Sequence, residues 1–267
     1  MNSDPTKTHG ERDRVAIVTG GSRGIGRAIC VGLAARGYRV VVAARSEVGP
    51  TADSEFARYA AGTIHDTARL IIERGGTAVA IRCELTRVED IEALVAASIA
   101  RFGRIDALVH NAGVDCESPV TGLEVDLLDR CLAINVRAPL LLCKFALPSM
   151  IARGSGSILG ITSGAARAYR PGRVAYSMSK AALERMFLSL ADEVSSSDIA
   201  VNLLSPGRID TWMNRRGDWP GTGHIPLEQP ETVVPAAVWL LGQTPSTFTG
   251  RVVERAEFGR TWGPGTT

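Results

Sequence analysis

The chain has 267 residues, 45% of them hydrophobic and 22% charged, with a formal net charge of +2. That length suits one α/β domain with a large core, and a charge so near neutrality favours neither nucleic acid nor an anionic membrane as partner. Five cysteines without Cys-x-x-Cys spacing and four scattered histidines argue against a metal centre, and the cysteines read as reduced thiols in a cytoplasmic protein.

Residues 1–13 read as a disordered polar tail, without the apolar stretch of a secretory signal. Val15-Ala16-Ile17-Val18-Thr19 is a strand fit for burial on both faces, and it runs straight into Gly20-Gly21-Ser22-Arg23-Gly24-Ile25-Gly26. Behind the turn, Ile25, Ile29 and Leu33 form one helical stripe that Gly37 ends. Strand, glycine turn and helix together make a phosphate cradle: glycines let the backbone approach, and free N–H groups at the helix start meet the charge. A second strand at 39–43 leads to Ala44-Arg45. The stretch 46–67 reads as an insertion, a loop around Gly49-Pro50 and Gly62 with a short helix at 54–61. A third strand at 78–82 precedes Glu84-Leu85. Thr86 and Glu89 have capping-box spacing for a helix to Phe102, whose stripe is Ile91, Leu94, Val95, Ile99 and Phe102.

Further strands are expected at 105–109, 157–162, 199–204 and 250–254, alternating with helices, and this predicts a parallel sheet covered on both faces. No uninterrupted apolar run approaches the ~20 residues of a membrane helix. After the fourth strand comes Asn111-Ala112-Gly113, and Asn135 lies on the next helix. Ser163 follows the fifth strand, and Tyr176 and Lys180 sit four apart on one helix face. An ammonium about 4 Å from a phenol, at an effective dielectric of ~20, favours phenolate by up to ~4 kcal/mol, roughly three pKa units. Pro206-Gly207 and Thr211 follow the sixth strand. Glycines and weak apolar periodicity make 208–231 a candidate substrate lid, and 256–267 reads as a C-terminal tail.

The glycine spacing Thr-Gly-x-x-x-Gly-x-Gly, Asn111-Ala112-Gly113, Asn135, Ser163 thirteen residues before Tyr176, Tyr-x-x-x-Lys, and Pro206-Gly207 with Thr211 stand in one order along about 14–255. In these features the chain resembles the short-chain dehydrogenase/reductase family. The resemblance implies a single-domain α/β fold, a doubly wound parallel sheet (Rossmann fold) of about seven strands with helices on both faces. It implies an oxidoreductase moving hydride between NADP(H) and a ketone or secondary alcohol. Tyr176 would be the general acid/base. Lys180 would lower its pKa and hold the nicotinamide ribose, Ser163 would polarise the substrate oxygen, and Asn135 would hold a water of the proton relay. Gly20, Ser22, Arg23, Gly24, Ile25, Gly26, Glu84, Leu85, Asn111, Ala112, Gly113, Pro206, Gly207 and Thr211 would line the cofactor. Ala44 stands where NAD-dependent relatives place an acid, and Arg45 with Arg23 suits a 2′-phosphate, so NADP(H) is expected over NAD(H). Trp212, Trp219 and Tyr169 are candidates for contact with a partly apolar substrate. The resemblance also implies a homotetramer packed through helices near 125–152 and 175–195. Reduction of a C=N or C=C bond, and a non-catalytic NADP(H)-sensing role, are the alternatives. The departures from the family pattern are Glu84 for the usual aspartate, His110 for the first asparagine, the 46–67 insertion, and the lack of an Asp-Gly-Gly ending in Glu254–Gly263.

Overall fold

In the computed structural model, residues 13–47, 62–168, 171–215 and 226–266 are described. The expected strands form as Val15–Thr19 (β1), Arg39–Ala44 (β2), Thr77–Arg82 (β3), Ala107–His110 (β4), Gly156–Ile161 (β5), Ile199–Ser205 (β6) and Arg251–Glu254 (β7). They pair in parallel in the order β3-β2-β1-β4-β5-β6-β7. β1 is wholly buried, and its side chains alternate between two cores. Val15 and Ile17 join one with Leu94, Leu142 and Phe187. Ala16 and Val18 join the other with Ile29, Leu33, Ile71 and Leu240. Helices α1 (Gly24–Ala35), α2 (Ile64–Glu73) and α8 (Val234–Leu241) supply the second core, while α3 (Val88–Phe102), α5 (Ala138–Arg153) and α6 (Val174–Glu193) supply the first. The chain leaves β1 towards β2 and β3, then returns to β4 on the other side. The carboxyl ends of β1 and β4 therefore flank a crevice at the topological switch point.

Several expectations are corrected. The capping box lies at α2, where Thr63 Oγ1 accepts from Asp66 N at 3.0 Å and Asp66 Oδ2 accepts from Thr63 N at 3.0 Å. Thr86 and Glu89 do not form one, because α3 starts at Val88 with Arg87 as an uncapped N-cap. α4 (Val125–Leu132), a π turn (Ala133–Arg137) and α5 run on as one helix of 29 residues, long and apolar enough to cross a membrane by length and composition. Half of its most apolar stretch is buried here, including Leu142, Cys143, Ala146 and Met150 in the first core. The C-terminal tail read at 256–267 packs, over its described residues, back onto the fold. Trp262 is buried, its ring 4.9 Å from Phe258 and 5.9 Å from Trp239, and its Nε1 donates to Glu254 O at 2.9 Å.

The cysteines also differ from expectation. Cys116 and Cys131 are paired as a disulfide, with Cα atoms 6.3 Å apart, so only Cys30, Cys83 and Cys143 are free thiols. All three are buried, and burial pushes Cys83 and Cys143 up to about 12. His110 is a core residue edge-on to Phe187, and burial pushes it down to about 3, so it is neutral. The short helix expected at 54–61 lies outside the described residues.

Candidate active site

The glycine turn after β1 is shaped by the loop after β4. Asn111 Nδ2 donates to Thr19 O at 2.9 Å, and Thr19 Oγ1 accepts from Asn111 N and Ala112 N, both at 3.2 Å. Gly20 takes a left-handed φ of 68°, and a Cβ there would meet Asn111 Nδ2 at 2.8 Å. Gly24, at φ 52°, faces Thr211, whose Cγ2 would lie 3.2 Å from an added Cβ. Only glycine fits these two places, and the backbone is left bare for a phosphate to approach. Gly26 lies behind the turn against the Gly20 carbonyl rather than on the cleft wall.

At the far end of the turn, Arg23 Nη2 donates to Ser46 Oγ at 3.0 Å. Burial, and then the neighbouring Arg45, pull the Arg23 pKa down. Two guanidinium groups therefore converge beside Ala44, a setting suited to an added dianion. Glu84 Oε2 stands 3.8 Å from Arg45 Nη1.

The catalytic candidates meet at the other end. Tyr176 and Lys180 lie in α6, both buried. Ser163 follows β5, its Oγ accepting from Ala165 N at 3.2 Å. Lys180 Nζ donates to Ile161 O at 3.0 Å and stands 5.8 Å from the Tyr176 ring centre. Burial pulls Lys180 down to about 8, against the pull of Asp115 and Glu184. For Tyr176, burial is the largest influence and raises the phenol, the hydrogen bond with Ser163 lowers it, Asp115 raises it and Arg173 lowers it. This corrects the expected direction. Removal from water outweighs nearby charge.

Asn135 sits in the π turn, where a sequence reading expected plain helix. Its Oδ1 accepts from Val114 N and its Nδ2 donates to Val114 O, both at 2.9 Å, and Nδ2 also donates to Ser179 Oγ at 3.0 Å. Such turns recur at functional sites because they re-aim one side chain without ending the helix. An added Cβ on Gly113 would lie 3.3 Å from Asn135 Oδ1 and 3.4 Å from Lys180 Nζ, so this glycine keeps the space between them clear.

One cleft of about 840 Å³ joins the two ends. Its wall carries Gly20, Ser22, Arg23, Gly24, Ile25, Arg45, Glu84, Leu85, Asn111, Ala112, Gly113, Ser163, Tyr176, Lys180, Pro206, Gly207, Thr211 and Trp212. Asn135 stands behind Val114 instead. Trp212 begins the short helix α7 (Trp212–Arg215). The two ends of the candidate lid are joined, since Asp210 N donates to Glu228 O at 2.7 Å and Glu228 N to Arg208 O at 2.9 Å. Trp219 and Tyr169 lie outside the described residues.

A family model described as short chain dehydrogenase matches residues 14–218. The chain belongs to the short-chain dehydrogenase family. Among curated relatives, a 3-oxoacyl-[acyl-carrier-protein] reductase of Synechocystis is 32% identical over 244 residues, covering 86% of this chain and 94% of the relative. The 2-(R)-hydroxypropyl-CoM dehydrogenase of Xanthobacter autotrophicus is 36% identical, covering 76% and 77%. Among solved structures, a metagenomic short-chain oxidoreductase in complex with NADP is 29% identical with a TM-score of 0.74, covering 91% of this chain and 97% of that one. A blue fluorescent protein from a metagenomic library, in complex with NADPH, is 30% identical with a TM-score of 0.78, covering 91% and 96%.

Several residues that shape the site in this short-chain dehydrogenase were missed by sequence reasoning. Thr19 organises the Asn111 loop, and Ser179 holds Asn135. Glu184 accepts from Thr162 Oγ1 at 2.8 Å one turn beyond Lys180, and its spacing of four from Lys180 was a usable signal. Arg173 and Asp115 meet beside Tyr176 at 3.0 Å, and no local pattern announces a pair 58 residues apart.

Proposed function

We propose that this protein is an NADP(H)-dependent carbonyl reductase or alcohol dehydrogenase, with Tyr176 as general acid/base. The observation that carries the reading is the single cleft with Ser163, Tyr176 and Lys180 at one end and the glycine turn with Arg23 and Arg45 at the other. The residues fit the cofactor: bare backbone at Gly20 and Gly24 suits a pyrophosphate, and the two guanidinium groups suit a 2′-phosphate. The NADP and NADPH complexes of the solved relatives support the same reading. When bound, the nicotinamide supplies the hydride chemistry.

The chain's own part is proton handling and orientation. A buried phenol with a raised pKa is protonated at neutral pH, the form needed to donate to a carbonyl oxygen during reduction. Ser163, which already bonds the phenol, donates to the same oxygen and polarises it. Lys180, brought down to about 8, exchanges protons near neutrality and restores the phenol, with Asn135 holding the relay water in the space Gly113 leaves open. Thr211 and Pro206-Gly207 orient the carboxamide. Trp212 lines the cleft and favours a ketone with an apolar part. The protein works as a tetramer through α4, α5 and α6, which carry exposed Val125, Leu140, Ile151, Val174 and Met178. Light scattering reads that assembly.

The test is NADPH consumption over a panel of ketones with Tyr176→Phe beside the parent. The variant is expected to lose nearly all turnover yet bind NADPH within a few-fold of the parent, because the hydroxyl acts mainly in the transition state. Near-normal kcat in Tyr176→Phe would overturn the reading.

A further inference from the structure

Arg173, Tyr176 and Lys180 form one stripe on α6, at i, i+3 and i+7. Arg173 is the N-cap of that helix, and its side chain is only 7% exposed. Its guanidinium carbon lies 4.5 Å from the centre of the Tyr176 ring, closer than the Lys180 ammonium at 5.8 Å. Its Nη2 donates to both Asp115 carboxylate oxygens at 3.0 Å. Asp115 is held in place from its own side: Oδ1 also accepts from Cys116 N at 2.9 Å, Cys116 is tied to Cys131 in α4, and the preceding Val114 is clasped by Asn135. Neither Arg173 nor Asp115 lines the cleft. The pair reaches the chemistry through Tyr176, and Asp115 also acts on Lys180.

We propose that Arg173, locked by Asp115, is a positioning residue for Tyr176, fixing the plane of its ring and balancing its protonation. This rests on the reading of Tyr176 as the acid/base. A buried cation near a ring face is attracted to it and is attracted more strongly to a phenolate. Left alone, that cation would lower the pKa of the phenol. The adjacent carboxylate cancels most of its field and satisfies a charge that is costly to bury unpaired. Among the described residues, the charged and titratable groups facing the phenol are Arg173, Asp115 and Lys180, with the Ser163 hydroxyl bonded to it. Asp115 acts on Lys180 as well, as does Glu184 from one step away. Of these, Asp115 and Arg173 pull the phenol in opposite directions, so removing each should move it oppositely. A residue that merely caps the helix would have no such signature.

The experiment uses Asp115→Asn, Arg173→Met, Arg173→Lys and the double variant Asp115→Asn/Arg173→Met. One readout is the ultraviolet tyrosinate titration of Tyr176, isolated by difference against the same protein carrying Tyr176→Phe, with NADP⁺ present. The other is the pH dependence of kcat/KM on the best ketone of the NADPH panel. Arg173→Met should move both upward in pH, by less than Asp115→Asn moves them, because Asp115 is the larger influence on the phenol. Asp115→Asn should move both downward, Arg173→Lys should shift less than Arg173→Met, and the double variant should return close to the parent. Single variants that shift in the same direction, or leave the titration unmoved while lowering thermal stability, would overturn the proposal. Should Arg173→Met fail to fold, the sign of the Asp115→Asn shift decides alone. If Tyr176→Phe keeps turnover, the acid/base reading falls, and the tyrosinate titration still judges the Arg173 pair independently.

Discussion

Removing Arg45 should cost the enzyme its NADPH far more than its NADH. A charge-assisted bond to a phosphate is worth about 1.5–3 kcal/mol, or ten- to a hundredfold in affinity. The Arg45 side chain is 57% exposed, and solvent screening sets the effect of Arg45→Ala near the lower end, about tenfold in kcat/KM for NADPH. The structure adds a term from Glu84, 3.8 Å from Arg45. At that separation in water the attraction is about 1 kcal/mol, and exposed pairs realise about 0.2–1 kcal/mol of it. Glu84 both competes for the guanidinium and repels a phosphate, so Glu84→Gln should improve NADPH use by about two- to fivefold. Ala44→Asp combined with Arg45→Ala should reverse the preference, because a carboxylate repels the phosphate and accepts bonds from free ribose hydroxyls. Initial rates with each cofactor at equal concentration, repeated at raised salt, measure all three, and the Arg45 effect should shrink as salt rises. Equal use of NADH and NADPH by the parent, or an Arg45→Ala loss shared equally by both cofactors, would refute the reasoning.

Two stability predictions follow from the same structure. Alkylation under denaturing conditions without reductant should label Cys30, Cys83 and Cys143 only, and Cys116→Ser/Cys131→Ser should lower unfolding free energy by about 3 kcal/mol, the expectation for a bridge spanning 15 residues; labelling of all five thiols would remove that pairing. Lys180 is pulled from its ordinary 10.5 down to about 8, so between those values the unfolded chain holds a proton that the folded chain lacks, and stability contributed by this site rises with pH across that window. The advantage of Lys180→Met over the parent in denaturant titrations should therefore shrink from pH 8 to pH 10.5, by up to about 3 kcal/mol; a constant difference would contradict it.

What could be read from the sequence was whatever short-range physics dictates. β1, β4 and β6 are buried along their whole length, and such strands show as unbroken apolar runs, so the sheet was legible nearly to its boundaries. The glycine turn was legible for the same reason: Gly20 and Gly24 take backbone angles few other residues accept. Tyr176 and Lys180 were legible because helix spacing puts them on one face. Illegible features depend on chain segments distant in sequence. Spacing alone does not say that Cys116 meets Cys131. Nor does any helical pattern say that the turn around Asn135 widens to let it clasp Val114. The cap of α3 was misread because Thr86 precedes Arg87, where the helix actually begins to turn.

The most instructive miss is the sign at Tyr176. Counting charges along α6 finds Lys180 and predicts an acidic phenol. The buried environment instead raises it, and among the described residues the cation closest to the ring is Arg173, neutralised by Asp115 from another element. Local spacing can identify which side chains meet, but the protonation state of a buried group depends on water excluded by the whole fold and on charges delivered across it. For the carbonyl reductase proposed above, that sum matters more than the motif. A phenol held neutral, with one cation to stabilise its anion and one carboxylate to restrain that cation, is ready to donate a proton and able to recover it.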